Sequence, residues 1–438
     1  MNILIQHGRV VDPASGFDHV ADLAVADGHI VAIAKSGEKL PVNFKAEQTI
    51  DAKGCIVAPG LVDLQVRLRE PGYEHEGMLA SELTAAVAGG VTSLVCPPDT
   101  DPVLDEPGLV EMLKFRAEKL HRARVFPLGA LTVGLKGEVL TEMSDLTDAG
   151  CVGFSQAEVP LENTQVLQRA LQYAATFGYT VWLRPQEIHL GKGVAASGPL
   201  ATRLGLGGVP VAAETIALHT IFALMRSTKA RVHLCRISSA EGVELVRAAK
   251  KEGLAVTADV SINSLHLSDH DIGYFDSRAR VTPVLRQQRD RDALRAALAD
   301  GTIDVLVSDH TPVDVDAKAL PFAEAESGAT GLELLLSLSL KWANDSKVSM
   351  LRALEVLTSQ PAKVLGKIEG QSESMGQLHV GGVADLMVFD PAIEWQVTPD
   401  ALHSQGKHTP FAFDMTGMSL PARVKATLVA GRMVYQAA

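Results

Sequence analysis

Between about residue 56 and residue 365 the chain repeats one unit, a short apolar segment followed by a stretch with helical spacing of its apolar residues. The apolar segments fall at 61–68, 91–95, 124–130, 151–154, 179–184, 231–235, 254–258 and 303–307. Between them lie helical patterns such as Glu76–Ala88, Leu104–Leu120, Asn163–Phe177, Ala213–Ser227, Ala240–Lys251 and Asp290–Leu298. Strands that alternate with helices eight times close into a parallel barrel, each helix covering the outside of the sheet. In such a barrel, chemistry sits at the C-terminal ends of the strands. The Gly-rich stretch 189–208 and the stretch 310–331 read as long loops on that face.

Both ends of the chain have a different texture. Ile3–Ile5, Asp22–Ala26 and Ile30–Ala34 read as strands, with Asp27-Gly28 as a hairpin turn. Near the other end Ala384–Phe389, Trp395–Val397, Val424–Val429 and Arg432–Tyr435 read the same way, with Ala430-Gly431 as a turn. Neither group has enough strands for a stable sheet alone. The expected fold class is therefore α/β: a distorted (β/α)8 TIM barrel over 56–368, with a small composite β-domain formed by both termini, 1–55 and 369–438.

The formal net charge of −12 disfavours nucleic acid or an anionic membrane as partner. Cys55, Cys96, Cys151 and Cys235 are widely spaced and form no C-x-x-C pair, as expected of reduced thiols. The first residues lack a basic leader before an apolar run, and no stretch reaches the length of a membrane helix. A cytoplasmic protein is expected.

The stretch Val62-Asp63-Leu64-Gln65-Val66-Arg67-Leu68-Arg69-Glu70-Pro71-Gly72 alternates apolar and polar residues before a turn. It resembles the dihydroorotase signature Asp-x-His-x-His-Leu-Arg-Glu-Pro-Gly, matching at Asp63, Leu68, Arg69, Glu70, Pro71 and Gly72. Further likeness lies in Ala384-Asp385-Leu386, in Gly406-Lys407-His408-Thr409-Pro410-Phe411 and in Gly328-Ala329-Thr330-Gly331-Leu332-Glu333. The resemblance spans nearly the whole chain, and it implies a binuclear zinc-type centre of histidines and carboxylates.

Position by position, those donors are replaced. Gln65 and Arg67 stand where the resemblance implies two histidines. Gln156, within Phe154-Ser155-Gln156-Ala157, stands for a carboxylate, and Arg184 and Arg236 stand for two further histidines. Only Asp309, in Ser308-Asp309-His310-Thr311-Pro312, matches, at the place of a metal ligand and general acid/base. A guanidinium is always protonated and has no lone pair to give. Three of them near one aspartate would disfavour a divalent cation by several kcal/mol. On the substrate side Arg69 is present, whereas Asp99 replaces an asparagine and Asn263 a histidine. A salt bridge of Arg69 to Asp99 or Glu70 is expected, and Glu158 and Glu187 read as solvated or ion-paired loop acids.

The site is thus read as vestigial: Gln65, Arg67, Arg69, Asp99, Gln156, Arg184, Arg236, Asn263, Asp309 and His310, with no zinc and no catalytic residue. Arg67, Arg184 and Arg236 are expected to neutralise Asp309, whose burial without a partner would cost about 3–5 kcal/mol. The resemblance further implies a non-catalytic subunit of pyrimidine biosynthesis, oligomeric, that supports aspartate carbamoyltransferase. Two alternatives stand beside it: an active metal-dependent cyclic amidohydrolase rearranged around Asp309, His310 and His266, and an arginine-lined pocket that senses an anion.

Overall fold

The computed structural model describes residues 2–35, 38, 44–368, 374–412 and 417–437, and within them both ends of the chain build one sheet. Five strands come first: β1 (Ile3–Asp12), β2 (Phe17–Ala26), β3 (His29–Lys35), β4 (Gln48–Asp51) and β5 (Ile56–Pro59). The barrel strands begin with β6 (Leu61–Asp63), β7 (Val91–Cys96), β8 (Arg124–Pro127) continued by β9 (Gly129–Ala130), β10 (Phe154–Ser155) and β11 (Thr180–Leu183). A small parallel pair, β12 (Ala195–Ala196) and β13 (Gly208–Val209), precedes β14 (Arg231–Leu234), β15 (Val256–Ser261) and β16 (Val305–Val307). The last strands are β17 (Leu386–Gln396), β18 (Ser419–Val429) and β19 (Arg432–Gln436).

The terminal sheet runs β19-β18-β17-β5-β1-β2-β3, with β4 also on β1. Its seam is β5, parallel to β1 and antiparallel to β17. Residues 56–59 therefore belong with the terminal sheet and not with the barrel, because all four are buried in that seam. The other expected boundary, at 369, lies outside the described residues. Ile3, Ile5, Leu23, Val25, Val57, Leu386, Val388 and Leu428 form the core of this unit. At the irregularity in β1, a Cβ on Gly8 would meet Val57 Cγ2 at 2.6 Å, so only glycine lets β1 approach β5 there.

In the barrel, β6-β7-β8 form one parallel run and β9-β10-β11-β14-β15-β16 the other. Closure between β16 and β6 rests on one parallel bridge, Val66 with His310, and the Arg67 N–H donates to the His310 carbonyl at 2.9 Å. The expected strand 61–68 is regular only over its first three residues. Val62, Leu64, Val95, Phe126, Trp182, Val305 and Val307 fill the interior, with Val364 and Leu365 of the helix Ser359–Leu365 packed against them. The stretch 189–208 is not a plain loop: it holds β12, the helix Pro199–Leu204 and the start of β13. The stretch 310–331 carries the short helix Val315–Lys318. No described helix is long and apolar enough to cross a membrane.

Candidate functional site

At the C-terminal mouth of the barrel, three guanidiniums meet on one carboxylate. Arg67 leaves the extension of β6, Arg184 comes just after β11 and Arg236 just after β14, so the barrel closure points all three at the same spot. The carboxylate is Glu158, four residues beyond the start of β10. Arg67 Nη2 donates to Glu158 Oε1 at 2.8 Å, and Arg236 Nη2 donates to the same oxygen. Arg184 Nε forms an ion pair with Glu158 Oε2 at 2.6 Å, while its Nη2 donates to the Glu158 carbonyl at 3.1 Å. Burial alone would push the Glu158 carboxyl up, but the charges of Arg236, Arg184 and Arg67 outweigh it and hold the group well below the usual range. Of the two readings open to it, solvated or ion-paired loop acid, Glu158 is ion-paired, and it is the hub of the mouth. One signal for it exists in the sequence: three arginines near a single aspartate leave surplus positive charge that needs a second acid.

Asp309 has a different partner set from the one expected. Arg236 Nη1 donates to Asp309 Oδ1 at 3.0 Å, but Arg67 and Arg184 make no hydrogen bond to it. Arg67 instead donates through Nε to Asp99 Oδ2 at 2.8 Å and through Nη1 to Thr311 Oγ1 at 3.2 Å. Asp309 is nearly inaccessible, and burial pushes its carboxyl up to about 6 despite the pull of Arg236 and Arg67. Both Arg236 (φ 57°) and Asp309 (φ 52°) sit in the left-handed region, a strained conformation for non-glycine residues that aims each side chain into the mouth.

Arg69 pairs with neither Asp99 nor Glu70. Its Nε lies 2.7 Å from Glu76 Oε2, its Nη2 3.5 Å from Glu326 Oε1, and Nε also donates to the Pro312 carbonyl. Glu70 reaches Arg116 and the Leu79 N–H instead, and Asp99 is held by Arg67. Gln156 turns away from the guanidiniums, donating to the Leu135 carbonyl at 2.7 Å and accepting from Thr132 Oγ1. Gln65 is buried beside Asp63. Asn263 is buried in the mouth with its Oδ1 unpartnered.

The histidines do not assemble into a substitute centre. His310 accepts the Gly331 N–H on Nδ1 at 3.1 Å, which leaves Nε2 to donate to Glu82 Oε2 at 2.8 Å, facing away from Asp309. His266 donates through Nε2 to the Leu338 carbonyl, and burial holds it down at about 3. Among the described residues one group brings three metal-binding atom types together, His233, Cys235 and Asp259, inside the barrel. There His233 bonds Asp259 Oδ2 at 2.9 Å and Thr257 Oγ1 at 2.8 Å, while Asp259 Oδ1 accepts the Arg236 N–H at 2.7 Å. Burial raises the Cys235 thiol well above its ordinary value, so thiolate formation is disfavoured.

A zinc-type ion needs deprotonated N, O or S donors around one point. The mouth offers Asp309 and three guanidiniums already engaged with acids, so the residues present do not fit the metal that the resemblance implies. Nor do they fit a free anion. The cavity, about 200 Å³, is lined by Arg67, Arg69 and Arg236 against Asp99, Glu158, Asp309 and Glu326. Even with Asp309 protonated, the lining holds no surplus positive charge.

Comparison with known proteins places this geometry in a family. Residues 54–242 match the family described as dihydro-orotase-like, and residues 210–435 match the amidohydrolase family. A "Dihydroorotase-like protein" of Pseudomonas aeruginosa is 42% identical over 437 residues, with 100% of each chain covered. A "Dihydroorotase" from a Geobacter species is 39% identical over 438 residues, again with 100% of each chain covered. Among solved structures, an L-hydantoinase (dihydropyrimidinase) from Arthrobacter aurescens superposes with a TM-score of 0.84 at 26% identity, covering 99% of this chain and 96% of that one.

Proposed function

This chain belongs to the dihydroorotase-like amidohydrolases, and from that premise we propose that it is a non-catalytic member serving as an assembly subunit for aspartate carbamoyltransferase in pyrimidine biosynthesis. One observation carries the reading: Arg67, Arg184 and Arg236 stand where ligand histidines are implied and are bound to Glu158, Asp99 and Asp309. Removing an arginine to admit a metal would strand the buried Asp309 or the part-buried Asp99 and Glu158, which favours an ion-pair cluster over an empty metal cup. Partnership with the transferase rests on the family resemblance. A cytoplasmic location accords with four free, buried cysteines, of which burial pushes Cys96 and Cys151 up to about 12.

Relatives that carry the name dihydroorotase make the active reading the one to test against. Purified chain is incubated with zinc and assayed for dihydroorotate hydrolysis, and separately mixed with the transferase for size and transferase rate. No hydrolysis, together with a larger species of altered transferase rate, supports the reading. Hydrolysis that depends on zinc refutes it.

A further inference from the structure

Away from the ion-pair cluster, two segments at the barrel mouth expose aromatic and aliphatic side chains to water. Tyr274 is 92% exposed and Phe275 38%, and their rings meet edge to face with centroids 5.4 Å apart. Val315 and Leu320 are exposed on and just beyond the helix Val315–Lys318. The two segments are tied together: Ser277 Oγ donates to the Lys318 carbonyl at 2.6 Å, and Lys318 Nζ donates to the carbonyls of Ser277 and Arg280. Every one of the four apolar residues lies within about three positions of that tie.

The backbone holds the aromatic pair out at a cost. Phe275 has φ 63°, a left-handed conformation that a bulky side chain rarely adopts, and Gly273 before it has φ 53°. Strained backbone persists where the surrounding structure fixes it, often at functional segments, and two exposed rings add little to the monomer's own core. Rings of this kind are what protein interfaces use as anchors.

Charge around the patch selects its occupant. Residues 269–280 and 314–326 hold seven carboxylates against three cations. Asp269 is buried, Asp276 pairs with Arg278, Glu326 lies near Arg69 and Lys318 is bound to carbonyls, so the charges exposed beside the patch are Asp316 and Glu324, with Arg280 half-buried. Such a surface repels an acidic partner and fits an apolar hollow rimmed by lysine or arginine.

We propose that the loop bearing Tyr274 and Phe275, together with the Val315–Leu320 segment, is the docking surface for a protein partner presenting a basic-rimmed apolar hollow. This surface rests on the assembly reading, so the hollow is placed on the transferase. Affinity for purified transferase is measured by sedimentation for the wild type, Tyr274→Ala, Tyr274→Ala/Phe275→Ala, Asp316→Lys/Glu324→Lys, and Phe115→Ala as an exposed control on the far helix Pro107–Lys119. The single Tyr274→Ala variant removes only a solvated ring and keeps the test valid if the double variant folds poorly. Expected are losses of about 30-fold or more for the aromatic variants, a slower and less salt-sensitive association for the charge reversal, and no change for Phe115→Ala. Binding by the wild type that the aromatic variants match overturns the surface alone. Absence of binding by the wild type overturns the assembly reading, and this surface with it.

Discussion

Arg236 Nη1 lies 3.0 Å from Asp309 Oδ1, so the aspartate that a metal would need is already held by a fixed positive charge. The same arginine reaches Glu158, which makes it a bridge between two of the acids of the mouth. Which acids it binds, more than its charge alone, sets how the mouth responds to substitution.

Glu158→Gln leaves Arg67, Arg184 and Arg236 without their shared anion. Breaking a fully buried pair costs about 3–5 kcal/mol, and the Glu158 side chain is 33% exposed. A loss of about 2–3 kcal/mol is expected in urea unfolding. A change below about 0.5 kcal/mol, the scale of an ordinary surface substitution, would mean that the cluster does not depend on Glu158.

Glu158→Ala should create the anion site that the wild type lacks. With the carboxylate gone, Arg184 has no acidic partner left and the cavity gains room. Millimolar phosphate is expected to raise the melting temperature of this variant and leave the wild type unmoved, by preferential binding to the native state. Equal shifts in both proteins would contradict the charge balance derived for the mouth.

The two acids should respond to pH in opposite directions. Asp309, raised from 3.8 to about 6, gives native stability that is complete below about pH 4 and lost as pH rises through 6. Relative to Asp309→Asn, the wild type should lose on the order of 2–3 kcal/mol between those values and stay flat above about pH 7. Glu158 is lowered from 4.5, so its contribution is present above that value and fades as pH falls below it. The gap between wild type and Glu158→Gln should then narrow in acid. Paired urea titrations across about pH 2 to 8 check both slopes.

His310→Leu removes the donor that His310 Nε2 supplies to Glu82, a pair with no exposure on either side chain. Burial pushes the Glu82 carboxyl up, and the bonds from His310, Ser404 and Gln405 bring it below its ordinary value. Loss of one of those donors to a buried carboxylate is expected to cost about 1.5–3 kcal/mol in unfolding free energy. A cost under about 1 kcal/mol would assign His310 a minor place in the rim.

The barrel is legible in the sequence because each strand-and-helix unit carries its own hydrophobic period, and eight repeats admit few closures. The terminal sheet is legible from Asp27-Gly28 and Ala430-Gly431, although β5 is not: Ile56–Pro59 has the same buried apolar texture as a barrel strand, and only its pairing with β1 and β17 assigns it. At the site, the arginines that stand where the resemblance implies ligand histidines can be read position by position. The partners cannot, since Glu158 lies in a loop whose path depends on tertiary contacts, and Arg69 finds Glu76 once Arg67 has taken Asp99. Tyr274 and Phe275 give no periodic signal at all, because their exposure comes from a left-handed turn that sequence spacing does not encode.

Ring opening of dihydroorotate, measured with purified chain in the presence of added zinc, tests the proposed loss of catalysis most directly. The expected rate equals that of buffer and zinc alone, for the wild type and for Asp309→Asn. Zinc-dependent turnover by the wild type that Asp309→Asn abolishes would contradict a non-catalytic barrel.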